Sequence, residues 1–517
     1  MKEMKKYILI IAAFFAAGIT GCKKDYLSLE VNPNTPSVTT PSLTLAAALN
    51  ASAAIVSNGY PQYGVWSGYY TTSGNYVPNQ SINQYQFTNT SFSGDWTAWY
   101  ANLTNYNNLV QISAADPKGA NYQAIGLVME AYGFSHLVDN YEDVPYTQAF
   151  QASKILYPAY DKGPAIYADL FKKIDQAIGL MGKTGATVPG SDDIVFHGDM
   201  GKWRQFANSL KLRMAMRVSG VSGFDAKAIM ATTATTADPS DAEANFLGET
   251  TSAISNPGYV NATGKQNPFY AAYGADPTGN PAGSNVYYRA NAFSVNLLSA
   301  FNDARLTRLY TQVPTSGTDA TLRVHGNTFG DTKTTLLSNS FTSAVGPGLL
   351  QSPTQGQPLM WGSEALFLQS EAVVKGILTG DAQDDYEGGI TASFEELGAF
   401  YYDNSTNPPT PLTPAASAKQ YYSQDIANVS WTASPNKEQA IITQKWIALN
   451  GYFQFEAWNE YRRTGYPVLP SSIDPAAIST TLPTRVPYPL SELTTNGANL
   501  AKEGTINYFT SKIFWAK

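Results

Sequence analysis

The chain has 517 residues, 43% of them hydrophobic, which is ample for a large packed core. Only 14% are charged, against roughly a quarter in an average soluble protein. The net charge of −7, with no basic run, argues against nucleic acid as a partner. Aromatic residues make up 13%, with 33 Tyr and 9 Trp. The polar surface therefore falls to Asn, Gln, Ser, Thr and Tyr, groups that hydrogen-bond the hydroxyls and amides of sugars or peptides.

At the beginning, Lys2, Lys5 and Lys6 precede an apolar run over residues 7–17 and then small residues, the layout of a secretory signal peptide. The run is too short to be a permanent membrane helix, and no later stretch reaches the roughly 18 apolar residues such a helix needs. Cys22 is the only cysteine; with Gly21 before it and Ile19 three positions upstream it resembles a bacterial lipobox. Residues 1–21 are thus expected to be a lipoprotein signal peptide and Cys22 the lipidated first residue of the mature chain. Several acyl chains anchor a protein to a membrane almost permanently where one does not. Residues 22–41 are polar, carry Pro33 and Pro36, and read as a tether.

Residues 42–517 are expected to form a single domain. Ser42 can cap a first helix ending near Val56. Residues 58–94 then scatter Trp66, Tyr69, Tyr70 and Tyr76 among Gly, Ser, Asn and Pro, a loop pattern whose rings could stack on a ligand or fill core. From Asp95 apolar residues recur at steps of three and four: Trp96, Tyr100, Leu103. Trp96, Trp99 and Tyr100, at helical spacing, are read as core. A second helix over about 122–138 ends at Asp139-Asn140-Tyr141-Glu142-Asp143-Val144-Pro145, where proline and the Asp/Asn cluster stop it. Pro164 opens a helix with Ile166, Leu170, Ile174 and Ile178 on one face, followed by Gly182. The next, over 201–218, stripes Trp203, Phe206, Leu210 and Met214.

Residues of about 236–359 are dense in Gly, Pro, Thr, Ser and Asn, with helical periodicity only around 293–310. A loop stretch of this length in a compact domain is usually functional. Periodicity returns over 363–372, 385–397 and 438–463, and residues 467–517 form a Pro-rich, irregular tail. The expected architecture is mainly α, a helical scaffold over about 42–235 and 360–466 carrying a loop-rich region.

Other chemistries find little support. Asp139, Glu142 and Asp143 offer two carboxyls for glycosidic cleavage only if their separation suits it, which adjacency does not establish. His136, His197 and His325 lack metal-ligand spacing, and no nucleophile-elbow or zinc-protease motif occurs. Asp381, Asp384 and Asp385 could hold calcium but sit where a helix would be capped, the favoured reading. Arg462 and Arg463, at a helix end beside Glu460, read as scaffold. No cofactor is called for.

Five blocks together resemble the SusD/RagB family of Bacteroidetes outer-membrane lipoproteins: residues 139–147; Gly198-Asp199-Met200-Gly201-Lys202-Trp203 with 206–213; Ser370-Glu371-Ala372; Gln444-Lys445-Trp446; and Trp458-Asn459-Glu460-Tyr461-Arg462-Arg463-Thr464-Gly465. They run in family order across nearly the whole mature chain. One departure is Glu142, where the family's pattern has Gly; a turn needing positive φ would be strained there, so the local loop is expected to differ. The resemblance implies tetratricopeptide-like helical hairpins with a loop-rich ligand-binding half. It also implies a non-enzymatic, exterior-facing outer-membrane lipoprotein that binds a nutrient, an oligosaccharide or a peptide, and delivers it to a SusC-like TonB-dependent transporter. Ligand contacts in the family come from an N-terminal loop and from the central region, where the matching candidates are Tyr270, Tyr273, Tyr287, Tyr288 and Arg289. The rivals are a secreted glycan-degrading enzyme on a helical scaffold and a helical-repeat adaptor without a small ligand.

Overall fold

The computed structural model describes residues 39–57, 61–151, 154–232, 245–332 and 336–517. The expected signal peptide and Cys22 lie outside these residues. The scaffold begins with α1 (Pro41–Ser57), α2 (Ser93–Ala114), α3 (Ala120–Tyr141), α4 (Gly163–Leu180) and α5 (Met200–Val218), each packed on the next. A second group, α6 (Gly362–Val374), α7 (Ala382–Leu397), α8 (Lys437–Leu449) and α9 (Gln454–Thr464), packs likewise, and α6 lies against α5. Strands among the described residues form only two-stranded ladders.

Local chemistry accounts for the helix ends. Asp199 accepts hydrogen bonds from the Gly201 and Lys202 N–H groups and so starts α5, whose Trp203, Phe206, Leu210 and Met214 are all fully buried. Asp381 accepts from the N–H groups of Gln383 and Asp384, the capping role favoured by its sequence. At α1 the cap is Thr40 and not Ser42, because Pro41 occupies the first helical position and the Thr40 hydroxyl accepts from Leu43 N–H at 3.3 Å. The periodic stretch 438–463 is two helices. Gly451 breaks it at φ 95°, and a Cβ there would meet Leu349 Cδ1 at 2.4 Å, so both the turn and the contact require glycine. The stretch around 293–310 also divides, into Ala292–Ala300 and Leu306–Leu309, with Asn302 at φ 51° between them.

α3 is buried almost all round, so its polar side chains must find partners within the protein. The carboxylate of Asp139, at its C-terminal end, accepts from the Tyr167 hydroxyl, from Arg217 and, at 2.8 Å, from Trp515 Nε1. Arg217 also pairs with Glu456 of α9. One turn earlier on α5, Arg213 grips Glu364 of α6 with two bonds of 2.7 Å and lies 3.8 Å from Glu456. Arg463 of α9 grips Glu371 of α6 in the same bidentate manner at 2.7 Å, and Lys445 of α8 reaches Glu460 at 3.1 Å. Burial alone would raise the Glu460 carboxyl, but Arg463, Lys445 and Arg217 outweigh it and hold it well below the usual carboxylate range. One buried network thus joins both groups of helices.

The irregular tail belongs to this core. Trp515 and Ile513 are buried, and Arg485 and the Tyr488 hydroxyl donate to the Tyr141 carbonyl at the end of α3. The turn after α3 carries the positive φ whose strain its sequence raised. Glu142 adopts a positive φ of 74° with ψ −85°. Its carboxylate accepts the Phe514 N–H at 2.6 Å, and that bond to the tail offsets the backbone strain. Asp143 accepts from Lys162 Nζ at 2.6 Å and from Gly163 N–H at 2.8 Å, so all three carboxylates of this turn serve the scaffold.

Arg213→Met, which strands Glu364 without its buried partner, is expected to cost about 3–5 kcal/mol. Adding Glu364→Met should recover part of that loss, as read by thermal and denaturant unfolding of the single and double variants. Burial pushes the Glu142 carboxyl up to about 7 from an ordinary 4.5. The folded state therefore holds this proton more tightly than the unfolded chain. The corresponding stability is fully present below the ordinary value and is lost as pH rises through about 7. Unfolding measured across that window should show Glu142→Gln with a flatter pH dependence than the unaltered chain.

Candidate ligand-binding surface

The N-terminal aromatic segment divides sharply in the fold. Trp66 closes the short helix Pro61–Trp66, is fully buried and donates from Nε1 to the Ile82 carbonyl at 3.2 Å. Tyr69 is fully buried too, with its hydroxyl on the Trp446 carbonyl at 2.5 Å. Tyr70 is 1% exposed, stacks on Tyr273 at 6.2 Å, and its hydroxyl has no hydrogen-bond partner among the described residues. These four rings, Tyr273 included, present no face to solvent. The structure makes them core, because the loop that carries them is covered by α8, α9 and the central region.

The next turn of chain is different. Strand β1 (Tyr70–Thr72) pairs antiparallel with β2 (Tyr288–Ala290), setting Thr71 opposite Arg289 and Thr72 opposite Tyr288. From the buried Ser73 the ladder carries Gly74 to Val77 out to the surface beside the short helix Gly283–Tyr287. Tyr76, 41% exposed, meets Tyr287 at 5.5 Å between ring centroids, and Tyr287 meets Tyr288 edge-on at 4.8 Å. The Tyr287 hydroxyl holds the turn by donating to the Val77 carbonyl at 3.0 Å. Burial raises the Tyr288 phenol far above its usual value, so it stays a neutral donor. Tyr270 stands half-buried on the helix Pro268–Tyr273, which packs against Gly283–Tyr287.

A third segment completes the surface. Gly74 approaches the backbone of Leu336 so closely that a Cβ would lie 2.5 Å from its carbonyl oxygen. Asn339 N–H donates to Asn75 Oδ1 at 2.7 Å, and Arg289 Nε donates to Asn339 Oδ1 at 3.1 Å. Arg289 Nη1 reaches the Thr342 carbonyl at 3.4 Å. Tyr76, Tyr287 and Tyr288 thus form a ring platform over a floor of Arg289, Asn75 and Asn339. Asn75, Asn339 and Thr342 were not singled out by sequence; nothing in their spacing marks them, since they meet only through the ladder and the Gly74 contact.

Two of the cavities elsewhere among the described residues are lined by ionisable groups that could suggest chemistry. One of about 600 Å³ opens between α2, α3 and α4; Lys173 pairs there with Glu130 at 2.9 Å and the Tyr146 hydroxyl with Asp169 at 2.5 Å, while Lys154 also lines it. One of about 330 Å³ is lined by Trp361, Tyr452, Gln351 and Glu396. Burial lifts the Glu396 carboxyl to about 8, and it accepts from the Ser363 hydroxyl at 2.6 Å. Among the described residues no cluster of His, Cys, Asp and Glu could hold a metal ion, and no helix is long and apolar enough to cross a membrane.

Comparison with known proteins gives a consistent result. No curated protein matches the chain. A solved chitin-binding protein superposes with a TM-score of 0.73 at 23% identity, over 92% of this chain and 100% of its own. A SusD-like protein from Bacteroides thetaiotaomicron gives 0.71 at 22% identity, over 92% and 99%. A chitin-binding SusD homolog from Flavobacterium johnsoniae gives 0.66 at 22% identity, over 91% and 98%. At these identities the likeness shows the fold: mainly α, built from tetratricopeptide-like hairpins. The SusD-like family model, described as starch-binding and associating with the outer membrane, matches residues 33–489, and the chain belongs to this family.

Proposed function

We propose that this protein captures an oligosaccharide on the platform of Tyr76, Tyr287 and Tyr288 and delivers it to a SusC-like TonB-dependent transporter. It would do so from the outer face of the outer membrane, held there by lipid on Cys22. The observation that carries the reading is the convergence of tyrosines from two loops more than 200 positions apart on one exposed surface, with amide and guanidinium groups beneath. The apolar face of a sugar ring lies well on an aromatic plane, while Arg289, Asn75 and the tyrosine hydroxyls can take its hydroxyl groups. The family description and the two chitin-binding structural relatives support a saccharide ahead of a peptide. Asp139, Glu142 and Asp143, the carboxylates weighed for glycosidic cleavage, are all engaged in scaffold bonds, which favours binding over cleavage.

Binding is best measured by calorimetry over a panel of oligosaccharides, with reducing ends assayed in parallel. Tyr76→Ala and Tyr287→Ala are each expected to weaken the best ligand about ten-fold with no products released. Tyr70→Phe, which alters only a buried hydroxyl, should leave affinity unchanged. Unaltered affinity in both alanine variants would remove the platform from the reading. Cys22→Ser expressed in the native host should move the protein from the membrane to the soluble fraction or leave it unprocessed, and should reduce co-purification with a barrel transporter. Normal anchoring of that variant would exclude the lipid attachment.

A further inference from the structure

Among the described residues the buried arginines are Arg213, Arg217, Arg289, Arg305, Arg462, Arg463 and Arg485. Arg213, Arg217, Arg305 and Arg463 pair with carboxylates. Arg462 and Arg485 donate to the carbonyls of Asp139 and Tyr141 at the C-terminal end of α3, the negative pole of that helix and next to the Asp139 and Glu142 side chains. Arg289 has neither arrangement. It is 7% exposed, its two hydrogen bonds go to the neutral acceptors Asn339 Oδ1 and Thr342 O, and among the described residues no carboxylate lies within ion-pair distance. Burial lowers its pKa, and the phenol of Tyr76 is the group that opposes this. A guanidinium withdrawn from water without a counter-charge is costly, and a planar fork of donors matches a carboxylate or sulfate. This one lies at the floor of the tyrosine platform.

We infer that the ligand of this surface is an acidic saccharide, whose carboxylate or sulfate pairs with the Arg289 guanidinium while its rings lie on Tyr76 and Tyr287. The inference rests on the platform reading and adds the charge of the ligand. The groups that flank the guanidinium, Asn75, Asn339 and the Thr342 carbonyl, are neutral. Both acidic groups use the same donor fork, so the sugar that carries them decides which is bound.

The test is a set of matched pairs titrated calorimetrically against the full-length protein. The pairs are an oligogalacturonide with its methyl ester and a sulfated oligosaccharide with its desulfated form, with an aspartate-rich peptide alongside. The charged member of one pair is expected to bind about ten-fold or more tightly than its neutral counterpart, an advantage that shrinks as salt is raised. Arg289→Gln should erase the advantage, Arg289→Lys should keep part of it, and Tyr287→Ala should weaken both members; thermal melting checks that each variant is folded. Equal affinity within both pairs, or an advantage that survives Arg289→Gln, overturns the inference. So does tighter binding of the peptide than of every saccharide. Neutral binding that is lost in Tyr287→Ala while charge makes no difference overturns only the acidic ligand. Saccharide binding indifferent to Tyr287→Ala, or none at all, overturns the platform as well.

Discussion

The buried charge network is the constraint on which the rest of the fold depends. Acids on α3, α6 and α9 face bases on α5, α8 and α9 with little water between them. In such surroundings a charge left alone costs several kcal/mol, so each pair holds its helices only in the arrangement that satisfies every member. The pairs cross large gaps in sequence, from Arg213 to Glu364 and from Arg217 to Asp139 and Glu456. The first and second groups of helices therefore cannot shift against one another without breaking them. Trp515 and Phe514 bring the tail into the same constraint through Asp139 and Glu142.

The candidate surface inherits its geometry from that core. Tyr69 and Trp446 exchange bonds across the boundary, Tyr69 to the Trp446 carbonyl at 2.5 Å and Trp446 Nε1 to the Ser67 carbonyl at 2.9 Å. Tyr63 donates to Asn140, which with His136 also holds Asp95, so the short helix before β1 is tied to α3. With Trp66, Tyr69 and Tyr70 locked in this way, β1 leaves the core at a fixed place and delivers Tyr76 to Tyr287. The buried aromatic residues are positioning residues, and the exposed ones present the faces. Rings held this rigidly lose little freedom when a ligand arrives.

Much of the scaffold was legible because helices are local. The stripe of Trp203, Phe206, Leu210 and Met214 follows from spacing alone, and Asp199 and Asp381 cap where their side chains can reach the first free N–H groups. The five sequence blocks could be recognised for a related reason: Asp139, Arg213, Glu371, Lys445, Glu460 and Arg463 are members of the buried network, and such positions tolerate few side chains. The break at Gly451 was not legible, since it depends on the side chain of Leu349 a hundred residues earlier. Nor was the positive φ of Glu142, which is held by a backbone N–H of the tail.

The sequence by itself determined the mainly α architecture, its order of elements and its family, because periodicity, caps and blocks of charged and aromatic residues act over a few positions. It also marked the two segments from which the surface is built. Only the tertiary structure decided that Trp66, Tyr69, Tyr70 and Tyr273 face inward while Tyr76 and Tyr287 face out. It alone showed that Arg289 is buried with no acid beside it among the described residues. Exposure and missing counter-charge are properties of what surrounds a residue, and here the surroundings come from segments hundreds of positions away.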